Sequence, residues 1–239
     1  MEQIYEQELF ITPSLADARG RLSWPGAFTV CQDLAGIHAE RLGVGLGAMA
    51  EKSLFWLTVR TKIRILDFPR LGETVTARTW PEKPGALRCN RSYEIVRDGE
   101  VLVLGRTEWA VMNTETRALT PAAGLFPADL PFDRGAALSE SFARIPDRFE
   151  DAEPFAVYRV RSTDIDVGGH MNNAAYLRAL FGAFSNRELQ ALSPQTVDVS
   201  FRASCFEGEE LRFFRRETEN GLDLRIARGA DTILLARMA

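Results

Sequence analysis

This sequence holds only two histidines and three cysteines, has no long apolar run, and carries no excess of positive charge. Each scarcity excludes something. Cys31, Cys89 and Cys205 are odd in number, far apart and form no CxxC pair, so neither a disulfide framework nor a zinc site is expected. His38 and His170 alone are too few to complete a metal centre, and no metal or diffusible cofactor is expected. Against 33 acidic residues stand 29 basic ones, a formal charge of −4, which argues against a protein that grips nucleic acid through its phosphates. The opening MEQIYEQELF lacks the basic stretch and apolar core of a signal peptide. No segment approaches the ~18 apolar residues of a membrane span, so a cytoplasmic location is expected. At 46% hydrophobic and 26% charged, the 239 residues suffice for a real core in one large domain or two small ones.

What is present is alternation. FWLTVRTKIRIL (55–66) places Phe55, Leu57, Val59, Ile63 and Ile65 on one parity and Arg60, Lys62 and Arg64 on the other, the pattern of a half-buried strand. Similar runs at 74–80, 88–96 and 100–113 are separated by GE, PEKPG and RDGE, which read as turns, so an antiparallel sheet is expected. Before it, apolar residues at helical spacing over 27–45 predict a helix ending at Gly43. Prolines 121, 127, 131, 146 and 154 then interrupt any period. Beyond them the plan returns, with a strand at 155–162, a helix at 172–192 and strands at 196–204, 210–217, 221–229 and 232–238. The expected organisation is one module over 1–130, a linker over 131–153 and a second module over 154–239, each a sheet with a helix packed on it.

The segment RVRSTDIDVGGHMNNAAYL (159–177) resembles the signature of the hotdog-fold thioesterases, specifically the acyl-acyl-carrier-protein thioesterases of plants and bacteria, which often read SDxDxNxHVNNxxY here. QDLAGIHAERLGVG (32–45), WLTVRTKIRILDFPRLGETVTARTWP (56–81) and EWAVMNTETRALTP (108–121) are similar to the N-terminal module of the same family. The resemblance implies an α+β tandem (double) hotdog, two antiparallel sheets each wrapped around a long helix, with the first module housing the acyl chain. It implies hydrolysis of fatty acyl-acyl-carrier protein to a free fatty acid.

Thioester hydrolysis needs an activated water and a group that holds the carbonyl oxygen as it becomes negative. Asp164 and Asp166 precede Gly168, Gly169 and His170, and Asn172 with Asn173 then opens a helix, whose N-terminus favours an anion. By resemblance, Asp166 and His170 align with the family's active-site Asp and His, and Asn173 sits where the family shapes its site. Gly168, Gly169, Asn172 and Cys205 are the expected substrate-binding positions. Plainer readings stand beside these: Asp164 and Asn172 as helix caps, and Asp166 with His170 as a structural pair.

Two departures from the family matter. Gly168 stands where the family usually has an active-site Asn, and Ser204–Cys205 where plant members carry Glu-Cys, with Glu207 three residues on. Cys205 shares the parity of Val197, Val199 and Phe201, which favours a packed thiol over a nucleophile. His38 reads as structural. Arg60, Lys62 and Arg64 read either as a solvated face or as a landing site for an acidic carrier protein. An acyl-coenzyme A thioesterase and a non-catalytic acyl-binding hotdog are the rival functions, and a homodimer is compatible with the sequence.

Overall fold

The computed structural model describes residues 2–149 and 152–239. The chain divides into two compact units between Ser141 and Phe142. In the first, β1 (Tyr5–Phe10), α1 (Trp24–Arg41) and α2 (Leu46–Ala50) precede β2 (Leu54–Ile65), β3 (Thr74–Pro81), β4 (Cys89–Arg97), β5 (Glu100–Asn113) and β6 (Leu119–Thr120). The strand order is β1-β3-β4-β5-β2, with β6 on β5, and every pair is antiparallel. The alternating runs thus become strands within a residue or two of their expected ends. β1 was not anticipated: Gln7 shares the parity of Tyr5 and Leu9, which blurs the period of an edge strand.

The first helix starts three residues earlier than its apolar spacing predicts. Ser23 Oγ accepts from Gly26 N at 3.0 Å, and Pro25 in the first turn has the backbone angle a helix start needs. α1 lays Cys31, Leu34, Ala35 and His38 on the sheet. At Gly105 of β5 a Cβ would stand 3.5 Å from the Cys31 sulfur and 3.2 Å from the Tyr93 ring, so glycine permits the close approach of helix to strand.

His38 is 3% exposed, and its Nδ1 accepts from Arg91 Nη1 at 3.0 Å, since a guanidinium can only donate. The ring is therefore neutral. Burial, reinforced by the charges of Arg91 and Arg41 against a backbone bond to Glu2, pushes His38 down to about 4 from 6.5. Between those two values the unfolded chain binds a proton that the folded chain refuses. The stability due to neutral His38 is thus complete above pH 6.5 and is lost as pH falls towards 4, by up to ~3 kcal/mol. His38→Gln keeps an acceptor for Arg91 and cannot titrate. Urea unfolding at pH 7 and pH 4.5 should show the wild type losing more stability than this variant; equal losses would refute the assignment.

The opposite face of this sheet is covered by the chain itself. Trp80 Nε1 donates to Gly135 O at 2.9 Å, Ser92 Oγ accepts from Ala137 N at 3.0 Å, and Leu138 is buried.

The second unit holds β7 (Ala156–Arg159), a 3₁₀ turn at Ser162–Asp164, α3 (Asn173–Gly182), α4 (Asn186–Leu192), β8 (Thr196–Phe201), β9 (Glu210–Thr218), β10 (Gly221–Arg228) and β11 (Asp231–Met238). Its strands run β8-β11-β10-β9-β7, all antiparallel. Leu177 and Leu180 of α3 are fully buried, and the Tyr176 ring meets Phe201 of β8. The single helix expected over 172–192 is instead two. Ser185 caps a new start, its Oγ accepting from Glu188 N while Glu188 Oε2 accepts from Ser185 N. This S-x-x-E capping box was legible in FSNRE but overridden by the apolar spacing.

On one face of this sheet Asp223, fully buried, receives Arg237 at 2.6 and 2.9 Å and Arg216 at 3.4 Å. Over the same face Ile145 and Phe149 pack on Leu235, and Arg216 donates to Arg148 O. The described part of the expected linker, 131–153, is therefore drawn onto the two sheets. Among the described residues no helix is long and apolar enough to cross a membrane, and no group of three His, Cys, Asp or Glu side chains gathers to hold a metal.

Candidate active site

After β7 the chain turns through Ser162–Asp164 and then makes a short hairpin, Ile165 bridging to Met171. Asp166 O accepts from Gly169 N at 2.9 Å, and Asp166 N donates to His170 O at 2.9 Å. Gly169 has φ 75°, the left-handed conformation that lets a four-residue turn close a hairpin. Asp166 Oδ1 accepts from Gly168 N at 2.8 Å, the local bond that makes Asp a turn starter. Asp166 and His170 thus face each other across the hairpin neck through the backbone, and no hydrogen bond joins their side chains. Val167 at the tip is 88% exposed. The His170 ring lies 5.2 Å from the Phe206 ring.

The hairpin delivers the chain directly to α3. Asn172 is the N-cap, its Oδ1 accepting from Ala174 N at 2.8 Å, and Asn173 is the first helical residue. The capping reading of Asn172 therefore holds. Asp164 caps no α-helix. Its buried carboxylate accepts from Tyr158 OH at 2.7 Å and from Arg161 N at 2.9 Å, while its carbonyl accepts from Asn172 N at 2.8 Å. One residue ties the edge strand, the turn and the start of α3 together. The N–H groups of Asn172, Ala174 and Ala175 are already donated within the chain, whereas that of His170 meets no acceptor among the described residues.

Cys205 is fully buried, but not for the reason its parity suggested. β8 stops at Phe201, and Cys205 lies in the following loop, where its carbonyl accepts from Met171 N at 2.8 Å. Burial pushes its thiol up, against a pull from the Tyr176 hydroxyl, so it stays protonated at neutral pH. Glu207 is exposed. Glu209, which sequence reasoning passed over, is the carboxylate that approaches Cys205. Although burial opposes it, Phe206 N at 3.0 Å and Arg228 at 2.9 Å hold Glu209 below the usual carboxylate range. Only the return of the loop places it there, and no spacing rule would have found it.

Arg60, Lys62 and Arg64 do alternate on the face away from α1, but each has a partner in the chain. Arg60 binds Glu108 at 2.7 Å, Arg64 binds Glu140 at 2.6 Å, and Lys62, 8% exposed, donates to Ser141 O at 2.8 Å.

Residues 2–123 match the acyl-ACP thioesterase N-terminal domain, and residues 149–232 match the acyl-ACP thioesterase C-terminal domain. The chain is 24% identical over 193 residues to oleoyl-acyl carrier protein thioesterase 1, chloroplastic, of Arabidopsis thaliana, covering 73% of this chain and 53% of that protein. It is 25% identical over 193 residues to the chloroplastic dodecanoyl-acyl-carrier-protein hydrolase of Umbellularia californica, covering 73% and 49%. The chain spans about half the length of these curated relatives. Among solved structures, an acyl-ACP thioesterase from Bacteroides thetaiotaomicron superposes with a TM-score of 0.88 at 23% identity, covering 99% of this chain and 97% of that one. The 12:0-ACP thioesterase from Umbellularia californica gives 0.83 at 19%, covering 99% and 96%. At such identities the likeness establishes the fold, which is the double hotdog that the sequence resemblance implied.

Proposed function

We propose, since the chain belongs to the acyl-ACP thioesterase family, that it hydrolyses the thioester of a fatty acyl group on acyl-carrier protein. The observation that carries this reading is the hairpin 165–171, which sets an exposed carboxylate, Asp166, opposite His170 immediately before the N-cap of a buried helix. In this reading Asp166 orients and activates the attacking water, and His170 shares that proton. The developing oxyanion is met by the positive end of the α3 dipole and by the unengaged N–H of His170. Asn173 shapes the site at the first helical residue, and Gly168 and Gly169 let the backbone approach the substrate. Asn172 and Cys205 hold the walls in place through the bonds described above. A protonated, buried Cys205 is no nucleophile, so water attacks directly.

Gly169, not Gly168, carries the left-handed backbone of the turn. Gly168→Asn, which restores the residue the family usually has, is therefore expected to fold and to turn over at least as fast as the wild type. A folded variant that loses activity would show that the glycine itself is required. The reading as a whole is tested by hydrolysis of a chain-length series presented on carrier protein and, in parallel, on coenzyme A. Release of free acid from carrier protein is expected. Release only from coenzyme A would change the carrier, and release from neither would leave a binding protein.

A further inference from the structure

To share the proton of an attacking water, the His170 imidazole must be held in one direction while the water is attacked upon by nothing else. Its own surroundings offer one hold. His170 is half-buried, and among the described residues its side chain makes no hydrogen bond and meets one ring, that of Phe206, with centroids 5.2 Å apart and planes at 49°. That geometry lies in the attractive range for two aromatic rings. Phe206 is 48% exposed, so its ring is not a core residue that passes the site by chance.

The loop 202–209, between β8 and β9, keeps that ring in place. Consecutive loop residues meet consecutive hairpin residues: Cys205 O accepts from Met171 N at 2.8 Å, and the Phe206 ring meets His170. Phe206 N donates to Glu209 Oε2 at 3.0 Å while Phe206 O accepts from Glu209 N at 3.3 Å, so the turn is closed twice. Gly208, at φ 84°, donates its N–H to Val160 O, and Val160 N donates to Glu209 O, both at 2.9 Å, which pins the loop to the residue after β7. Arg228 of β10 donates to the two Glu209 oxygens at 3.0 and 2.9 Å and to Ser204 O at 3.2 Å. One guanidinium on a strand thus grips the chain on both sides of Phe206.

We infer that Phe206 is a positioning residue for His170, its ring setting the direction of the imidazole and the Glu209–Arg228 pair holding the ring, an assignment that rests on the thioesterase reading above. Phe206 takes no part in the bonds made or broken. It acts through His170 alone, which makes its effect conditional on that residue.

The test compares Phe206→Ala, Phe206→Tyr, His170→Ala and the double variant Phe206→Ala/His170→Ala with wild type, on the best carrier-protein substrate of the chain-length series. Phe206→Ala should lower kcat by roughly 10-fold with KM within about twofold, because the imidazole is then free to turn. Phe206→Tyr keeps the ring and should hold kcat within about twofold of wild type. Glu209→Ala should reproduce part of the Phe206→Ala loss. In the His170→Ala background, Phe206→Ala should cost no more than about another twofold, since two residues acting as one unit are not additive. A full second loss there, a loss in Phe206→Tyr as large as in Phe206→Ala, or an effect on KM alone would overturn the proposal. So would a His170→Ala variant of near-normal turnover, which leaves nothing to position although hydrolysis itself stands.

If the wild type releases no acid from any carrier, the thioesterase reading fails separately, and proton NMR decides the ring contact by itself. The chain has two histidines, so the spectrum of His170→Ala identifies the His170 ring protons by difference. These should be displaced by the neighbouring ring in wild type and Phe206→Tyr and should move to the ordinary position of a free imidazole in Phe206→Ala. Resonances that Phe206→Ala leaves unmoved would overturn the assignment.

Discussion

Asp166→Asn is expected to lower kcat on acyl-carrier protein by ~100-fold or more while leaving the protein folded. The substitution is chosen for what it keeps. Asp166 Oδ1 accepts from Gly168 N, and an Asn oxygen at the same place accepts the same bond, so the turn that sets the hairpin persists. The backbone pair between Asp166 N and His170 O is untouched. What disappears is the negative charge and the capacity to take a proton from water. The side chain is exposed and makes no ion pair among the described residues, so its charge contributes little to stability and the melting temperature should stay within a few degrees. Turnover and melting temperature measured on the same preparation separate the two effects. Near-normal turnover would remove Asp166 from the mechanism.

Asp223→Ala should have the largest effect on stability, for the opposite reason: the carboxylate is fully buried in the second sheet and the cations around it cannot follow it out. Arg237 makes two bonds to Asp223, at 2.6 and 2.9 Å, and its own side chain is 15% exposed. Removing one member of a buried pair leaves an uncompensated charge, which costs about 3–5 kcal/mol. The loss should fall towards the lower end because Asp198, opposite Arg237 in the strand register, still faces the guanidinium. Arg216 is more exposed and can turn to water. Urea unfolding measures the loss, and Asp223→Ala combined with Arg237→Met should recover much of it, because the stranded charge goes too. A double variant no more stable than the single one would show that packing, not charge, is what Asp223 supplies.

The sequence by itself determined the parts of this protein that are local. Period-two alternation placed β2 and β5 to within one residue, because a strand with one buried face must repeat every second position. The candidate residues Asp166, His170, Asn172 and Asn173 also lie in one short segment, which the resemblance to the thioesterase signature singled out, and the structure folds that segment as one hairpin and one cap. Where local signals competed, the stronger periodicity misled, as at Ser185, whose capping box divides a stretch that apolar spacing joins.

Only the tertiary structure decided the fate of charged groups, since burial depends on which distant segment covers a face. Lys62 reads as a solvated cation until Ser141, 79 residues on, lies over it. His38 reads as structural from its stripe, but only burial and Arg91, 53 residues away, keep it neutral. Glu209 becomes the carboxylate beside Cys205 because a loop returns. A hydropathy pattern records which side of an element is apolar, and it carries no information about which charges will meet across the fold.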